Sequence, residues 1–296
     1  MGQVRLLGWQ TSGLHQATSL TELGRLHPGW QNDLDGMTGH NATPTPNGPE
    51  WHWGVAGEGT HLLCGPCTTT MDVAYSFCQA GQLSPWSSVI APLQSSGRGQ
   101  LRRPWLSSAG NLFVTLVCPS APPQWEEVRS LVLGYLLAEA IEVRFGAVRV
   151  KWPNDILMDN YKIGGILVEE RGGHVLAGIG LNLVWAPGAD ELRDGHSVTA
   201  GMIPASSEGL GPLGLWLFLV NQLETGYRTL LDSHTVAEFL TLFRSRLAWT
   251  GRRVFVQEGP RSQYQATILG VSGKGELVLS RDGEEVVLVS GDVTPL

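Results

Sequence analysis

The chain has 296 residues, enough for one large domain or two modest ones, and its 42% hydrophobic content excludes a disordered polypeptide. A net charge of −7 without a long basic stripe argues against a protein built mainly to hold nucleic acid. The 20 basic residues divide into 17 Arg and three Lys (Lys151, Lys162 and Lys274), so chemistry that needs an ammonium group has three sources. No window approaches 18 uninterrupted apolar residues, and the N-terminal text lacks a basic start followed by an apolar core and cleavage site. The expectation is a cytoplasmic protein with no membrane partner. Four cysteines (Cys64, Cys67, Cys78, Cys118) are too few and too irregular for a disulfide framework, and reduced thiols are expected.

Residues 1–60 hold one short helical stretch, 19–26, then a run rich in Pro, Gly and Asn that argues against long regular elements. No pair of adjacent amphipathic helices is expected there, and the segment's charge is −3, so a helix-turn-helix DNA reader is not predicted. From residue 61 the pattern turns regular. Helical spacing covers 71–79, apolar strand-like runs cover 88–93 and 112–117, and an amphipathic helix is predicted over 125–144. A β-rich block follows over 148–184, then helices over 213–231 and 236–248. Beyond residue 252 four or five short strands separated by Gly, Asp and Ser turns predict a small β-barrel of SH3-like size.

Four segments carry chemistry. QSSGRGQLRRPW (94–105) follows a predicted strand and places Arg98, Arg102 and Arg103 among glycines, where backbone N–H groups and guanidinium forks can take an anion. It matches neither GxxxxGK[ST] nor GxGxxG, and an exposed turn with solvated arginines is the plain alternative. KWPNDIL (151–157) brings Lys151, Asn154 and Asp155 together, either to serve a polyphosphate and its Mg²⁺ or as a simple hairpin turn. KIGGILVE (162–169) and GIGLNL (178–183) are glycine-bearing strands, which suggests a ligand lying across a sheet; Lys162 opens one of them and needs an anionic partner.

Together with CTTTMD (67–72), these ordered segments resemble the biotin protein ligase family, of the monofunctional type without a DNA-binding domain, over roughly residues 61–296. The resemblance implies an α+β fold: a mixed β-sheet catalytic domain flanked by helices (61–249), a C-terminal SH3-like barrel (250–296), and an N-terminal extension (1–60). It implies a reaction in which biotin attacks MgATP to give biotinyl-5′-adenylate, followed by transfer to a lysine of a biotin carboxyl carrier protein. It implies that Lys162, Arg98 and Lys151 are catalytic. It implies biotin contacts from Thr69, Thr70, Met71, Gln94, Arg98, Gly99, Gln100, Lys162, Gly165 and Gly178, with Gly180 in the floor beneath biotin's tail. Nucleotide contacts would come from Arg103, Trp105, Lys151, Asn154, Asp155 and Asn182, with Asp155 also meeting Mg²⁺. Monomer and homodimer are both open. Gln100 stands where a common family form has Arg, Arg102 where it has Gly, and Met71 where many members have Asn, so biotin affinity is less fixed than biotin identity. The rival readings are lipoate attachment, a biotin-sensing repressor, a non-catalytic biotin-binding module, and a zinc or redox site at Cys64-Gly-Pro-Cys67 with His61 and Cys78.

Overall fold

A computed structural model describes residues 2–8, 13–36, 42–45, 48–100, 103–191, 198–204, 209–259 and 262–296, with only the backbone described over 42–45 and 48–54. In chain order the elements are β1 (Gly2–Leu7), α1 (Leu20–Leu26), α2 (Pro28–Gly36), β2 (Ala42–Thr45), β3 (Gly48–Val55), β4 (Thr60–Leu63), α3 (Thr70–Gln79), β5 (Ser88–Ala91) and β6 (Leu112–Val117). Then come α4 (Pro123–Glu126), α5 (Arg129–Phe145), β7 (Val148–Lys151), β8 (Asp155–Met158), β9 (Tyr161–Arg171) and β10 (His174–Leu181). The chain ends with α6 (Pro212–Ser233), α7 (Val236–Arg246), β11 (Arg253–Glu258), β12 (Ser262–Val271), β13 (Leu277–Arg281), β14 (Glu284–Leu288) and β15 (Asp292–Pro295).

Two compact units emerge, the first built from residues 1–120, 164–186 and 202–224. Its strands run in the order β2-β3-β1-β4-β5-β6-β10-β9, with parallel β1/β4 and β4/β5 pairs and antiparallel pairs elsewhere. The apolar runs SVIA and LFVTLV are buried at every position, as strands covered on both faces must be. Helix α3 starts where the Thr69 side chain accepts a hydrogen bond from Met71 N–H, and it lays Val73, Ala74 and Phe77 into a core with Leu62, Val89 and Leu176.

Residues 1–60 depart from the expectation of irregular structure. The Pro/Gly/Asn-rich run forms α2, β2 and β3, and α1 and α2 adjoin with His27 alone between them. Pro28 presets φ for the first helical turn, and burial of Trp30 and Leu34 one turn apart outweighs the weak helix propensity of PGWQNDLDG. Strand β3 is held by pairing with β1 from Gly2↔Val55 to Leu7↔Glu50. Asp33 on α2 accepts hydrogen bonds from the backbone N–H groups of Gly211 and Leu213 (both 2.8 Å), capping the start of α6.

The second unit comprises residues 121–163, 187–201 and 225–296. The helix expected over 125–144 is two helices, because Glu126 turns back to accept from Ala121 N–H (2.8 Å) and Arg129 Nε (2.7 Å), and Val128 leaves the helical conformation. Helix α5 buries eleven residues, among them Leu131, Leu137 and Ile141, and Val150 of the β7–β8 hairpin packs against its Gly134. The C-terminal strands form a five-stranded antiparallel sheet in the order β14-β13-β12-β11-β15, not closed and consistent with the SH3-like domain expected. Among the described residues, no helix is long and apolar enough to cross a membrane.

Candidate active site

In the first unit, CTTTMD and QSSGRG are laced together. Cys67 N–H donates to Leu93 O (3.1 Å), Ser95 N–H to Cys67 O (2.9 Å) and Ser96 N–H to Thr68 O (2.9 Å). This brings Gln94 to the start of α3, where its Oε1 accepts from Thr70 N–H (2.9 Å) and the Thr70 hydroxyl (3.2 Å). Thr70 Oγ1 also hydrogen-bonds Thr115 Oγ1 (2.8 Å) on β6. Two buried hydroxyls and a half-buried amide tied to one another in this way present directional donors and acceptors at fixed positions, as recognition of a neutral polar ring requires.

The arginine loop folds back on itself, with Trp105 N–H bonded to Gly97 O and Gly99 N–H to Arg103 O (both 2.8 Å), so Arg98, Gly99, Gln100, Arg103 and Trp105 belong to one turn. Arg102 lies outside the described residues. Arg98 Nη2 donates to Asp72 Oδ1 (2.7 Å), and Arg171 Nη1 at the end of β9 donates to the same oxygen (2.7 Å). Burial opposes ionisation of Asp72, but hydrogen bonds from Arg171 and Arg98 outweigh it and hold the carboxyl below its ordinary range.

The glycine strands pair in register, Gly165 opposite Gly180 and Gly178 opposite Leu167. The bareness of two of these glycines serves the protein's own side chains. The Trp105 indole lies against Gly180, where a Cβ would stand 2.6 Å from two ring carbons, and Met71 Sδ lies 3.0 Å from a Cβ built on Gly178. Asn182 follows β10, buried, with its backbone carbonyl accepting from Ile203 N–H (2.8 Å).

In the second unit, the β7–β8 register sets Lys151 opposite Asp155 across a turn containing a cis Trp152–Pro153 bond. Asp155 Oδ2 accepts from Lys151 Nζ (3.1 Å), and Asp155 Oδ1 pairs with Lys162 Nζ (2.6 Å). Lys151 Nζ also bonds Asp292 Oδ1, from β15. Asn154 is buried beside this cluster. Burial would raise the Asp155 pKa, but the two ammonium groups override it and bring it down to about 2. For Lys151 burial favours the neutral amine, and Asp155 and Asp292 more than reverse that, so it stays charged. The hairpin is fixed from behind by Trp152 Nε1 donating to Gly275 O (2.9 Å) and by Ser130 Oγ donating to Pro153 O (3.2 Å). Lys162 is fixed by its backbone, N–H to Thr199 O (2.8 Å) and C=O from Gly201 N–H (2.9 Å).

Each oxygen of Asp155 already faces an ammonium group, so its carboxylate fits the counter-ion of two lysines better than an open metal ligand. Among the described residues, no group of three or more His, Cys, Asp or Glu is placed to hold a metal ion. All four cysteines are free and buried; a hydrogen bond with Cys67, then burial, pushes the Cys64 thiol far up, and burial pushes Cys78 up to about 11.

Thr115, Asp72, Arg171 and Asp292 are the site-lining groups that sequence reasoning missed. Thr115 carried one local signal, as the single polar residue in the buried strand LFVTLV.

Residues 65–183, spanning all of these motif segments, match the biotin/lipoate A/B protein ligase family. Over that stretch the chain is similar to this ligase family. The chain is 27% identical over 222 residues to a biotin–[acetyl-CoA-carboxylase] ligase of Paracoccus denitrificans, covering 71% of this chain and 90% of that one. The fold resembles a biotin protein ligase from Aquifex aeolicus solved with biotin and ATP (TM-score 0.64, 21% identity, 79% of this chain and 97% of that one). A biotin protein ligase from Leishmania major solved with biotinyl-5-AMP is 26% identical, with a TM-score of 0.51 over 80% of this chain and 97% of that one. The matched stretch thus includes both glycine strands, the arginine loop and the Lys151–Asp155–Lys162 cluster.

Proposed function

We propose that this chain is an ATP-dependent biotin protein ligase acting in the cytoplasm on a biotin carboxyl carrier protein. Residues 61–249 would form the catalytic domain, 250–296 the SH3-like domain, and 1–60 an extension. The observation that supports this most is the pair of lysines, two of only three in the chain, that flank one buried carboxylate, one on each of its oxygens.

Activation joins two anions. A biotin carboxylate oxygen attacks the α-phosphorus of ATP, the bond from that phosphorus to the bridging oxygen breaks, and pyrophosphate leaves with its magnesium. Negative charge grows on the α-phosphoryl oxygens and the leaving group, so fixed positive groups there lower the barrier. We assign Lys162 to the carboxylate and α-phosphate, Lys151 with Asn154 and Asp155 to the nucleotide and pyrophosphate, and Arg98 to the anionic junction. Thr69, Thr70, Met71 and Gln94 would hold the biotin ring, Gly99 and Gln100 the loop beside it, and Gly165 the floor under its tail, while Gly178 and Gly180 would act through the Met71 and Trp105 side chains that cover them. Arg103, Trp105 and Asn182 would meet the nucleotide. Magnesium enters as part of MgATP. In the second step a neutral carrier lysine attacks the acyl carbon, AMP departs, and the new amide nitrogen loses a proton. No covalent enzyme nucleophile is needed; positioning and charge stabilisation suffice.

The family also contains lipoate ligases. Incubating the chain with MgATP, a carrier domain and either labelled biotin or labelled lipoate decides between them: labelled biotin on the carrier is expected, and lipoate transfer with no biotin transfer would overturn the proposal.

A further inference from the structure

We propose that Asp72 is a positioning residue for Arg98, holding the arginine loop in its ligand-ready geometry, with Arg171 as the strut that fixes Asp72. The inference rests on the biotin ligase reading above, but the contacts themselves come from the geometry of the first unit. Asp72 sits on the first turn of α3, two residues beyond Thr70, whose backbone N–H and hydroxyl both meet Gln94. Its Oδ1 takes Arg98 Nη2 from the loop and Arg171 Nη1 from β9, at 2.7 Å each. Arg171 is in turn held through Nε by Glu169 Oε2 (2.8 Å), and its neighbour Gly172 packs on Tyr75, one turn along α3. The chain Glu169–Arg171–Asp72–Arg98 therefore ties a loop arginine to a strand and a helix.

The way Arg98 is held matters. Asp72 engages one terminal nitrogen only, and Arg98 Nε is buried with no hydrogen-bond partner among the described residues. A guanidinium fixed at one corner keeps its other N–H groups for a second anion. Without the fixed corner, a long side chain on a loop must be ordered when the ligand binds, and that cost falls on binding. Asp72 touches no reacting atom in this scheme; it acts through Arg98.

The test is a double-substitution cycle on the full chain, read by biotin-dependent ATP–pyrophosphate exchange. Asp72→Asn, which keeps the shape and removes the charge, is expected to lower kcat/KM for biotin about tenfold, chiefly through KM for biotin, with KM for ATP within about twofold. In an Arg98→Ala background the same substitution is expected to change exchange by less than about twofold, because the group it positions is gone. Arg171→Gln, which leaves Asp72 its Arg98 partner, is expected to cost about threefold. Normal exchange by Asp72→Asn overturns the inference, as does a full tenfold loss in the Arg98→Ala background, which would mean that Asp72 acts independently. Absence of exchange by the unsubstituted chain would overturn the ligase reading as well, so the two failures are distinct.

Discussion

Replacing Lys162 by alanine separates the chemistry from the fold. The Lys162 side chain is 29% exposed and the Asp155 side chain only 11%. When Lys162 is removed, Asp155 keeps Lys151 on its other oxygen, and Lys151 keeps Asp292. No buried charge is stranded. The stability loss should therefore be that of a partly exposed ion pair, about 1 kcal/mol, rather than the roughly 3–5 kcal/mol of a broken buried pair. The catalytic loss should be larger, because one donor aimed at developing charge contributes about 3–4 kcal/mol, on the order of 10²–10³ in rate. Urea unfolding and biotin-dependent pyrophosphate exchange on the same preparation measure both. Lys162→Arg should remain within about tenfold of the alanine variant, since a planar fork cannot replace a compact ammonium between Asp155 and an anion. Exchange by Lys162→Ala within about threefold of the unsubstituted chain would refute the assignment.

Three further outcomes follow from the geometry. Gly164→Ala should destabilise by about 1–3 kcal/mol or more, because its Cβ would stand 2.6 Å from the Gly180 carbonyl oxygen and the strand backbone cannot give way; urea unfolding checks it. Gly180→Ala should cost less stability and raise KM for ATP several-fold by displacing the Trp105 indole, and an unchanged KM would remove Trp105 from the nucleotide site. His61 is fully buried beside Ser88 Oγ (2.9 Å), and burial lowers its pKa from 6.5 to about 4. Its folded form stays neutral while the unfolded chain takes a proton, so stability should fall by at most about 3 kcal/mol as pH drops from about 6.5 towards 4. A His61→Gln variant that folds should lose less stability across that window, and an identical pH dependence would reject His61 as its source.

The motifs that carry chemistry were legible because each needs its residue types close in sequence. KWPND puts Lys151 and Asp155 opposite each other through a single hairpin, and TTT opens a helix through a Thr69 cap. What escaped lay far away in the chain. Asp292 reaches Lys151 from 141 residues off, and Arg171 reaches Asp72 from 99, with no periodic or local signal to announce either. The N-terminal run misled for a related reason: PGWQNDLDG has poor intrinsic helicity, and tertiary burial of Trp30 and Leu34 decides its structure. The C-terminal strands were legible one by one, because Gly, Asp and Ser turns separate them in the sequence, and they assemble into one antiparallel sheet.

The most direct test of the central claim is exchange of labelled pyrophosphate into ATP by the full chain, with biotin present and absent. The account predicts exchange that depends on biotin and magnesium, needs no carrier protein, and is lost in Lys162→Ala. Exchange that proceeds without biotin, or none at all alongside normal folding, would contradict it.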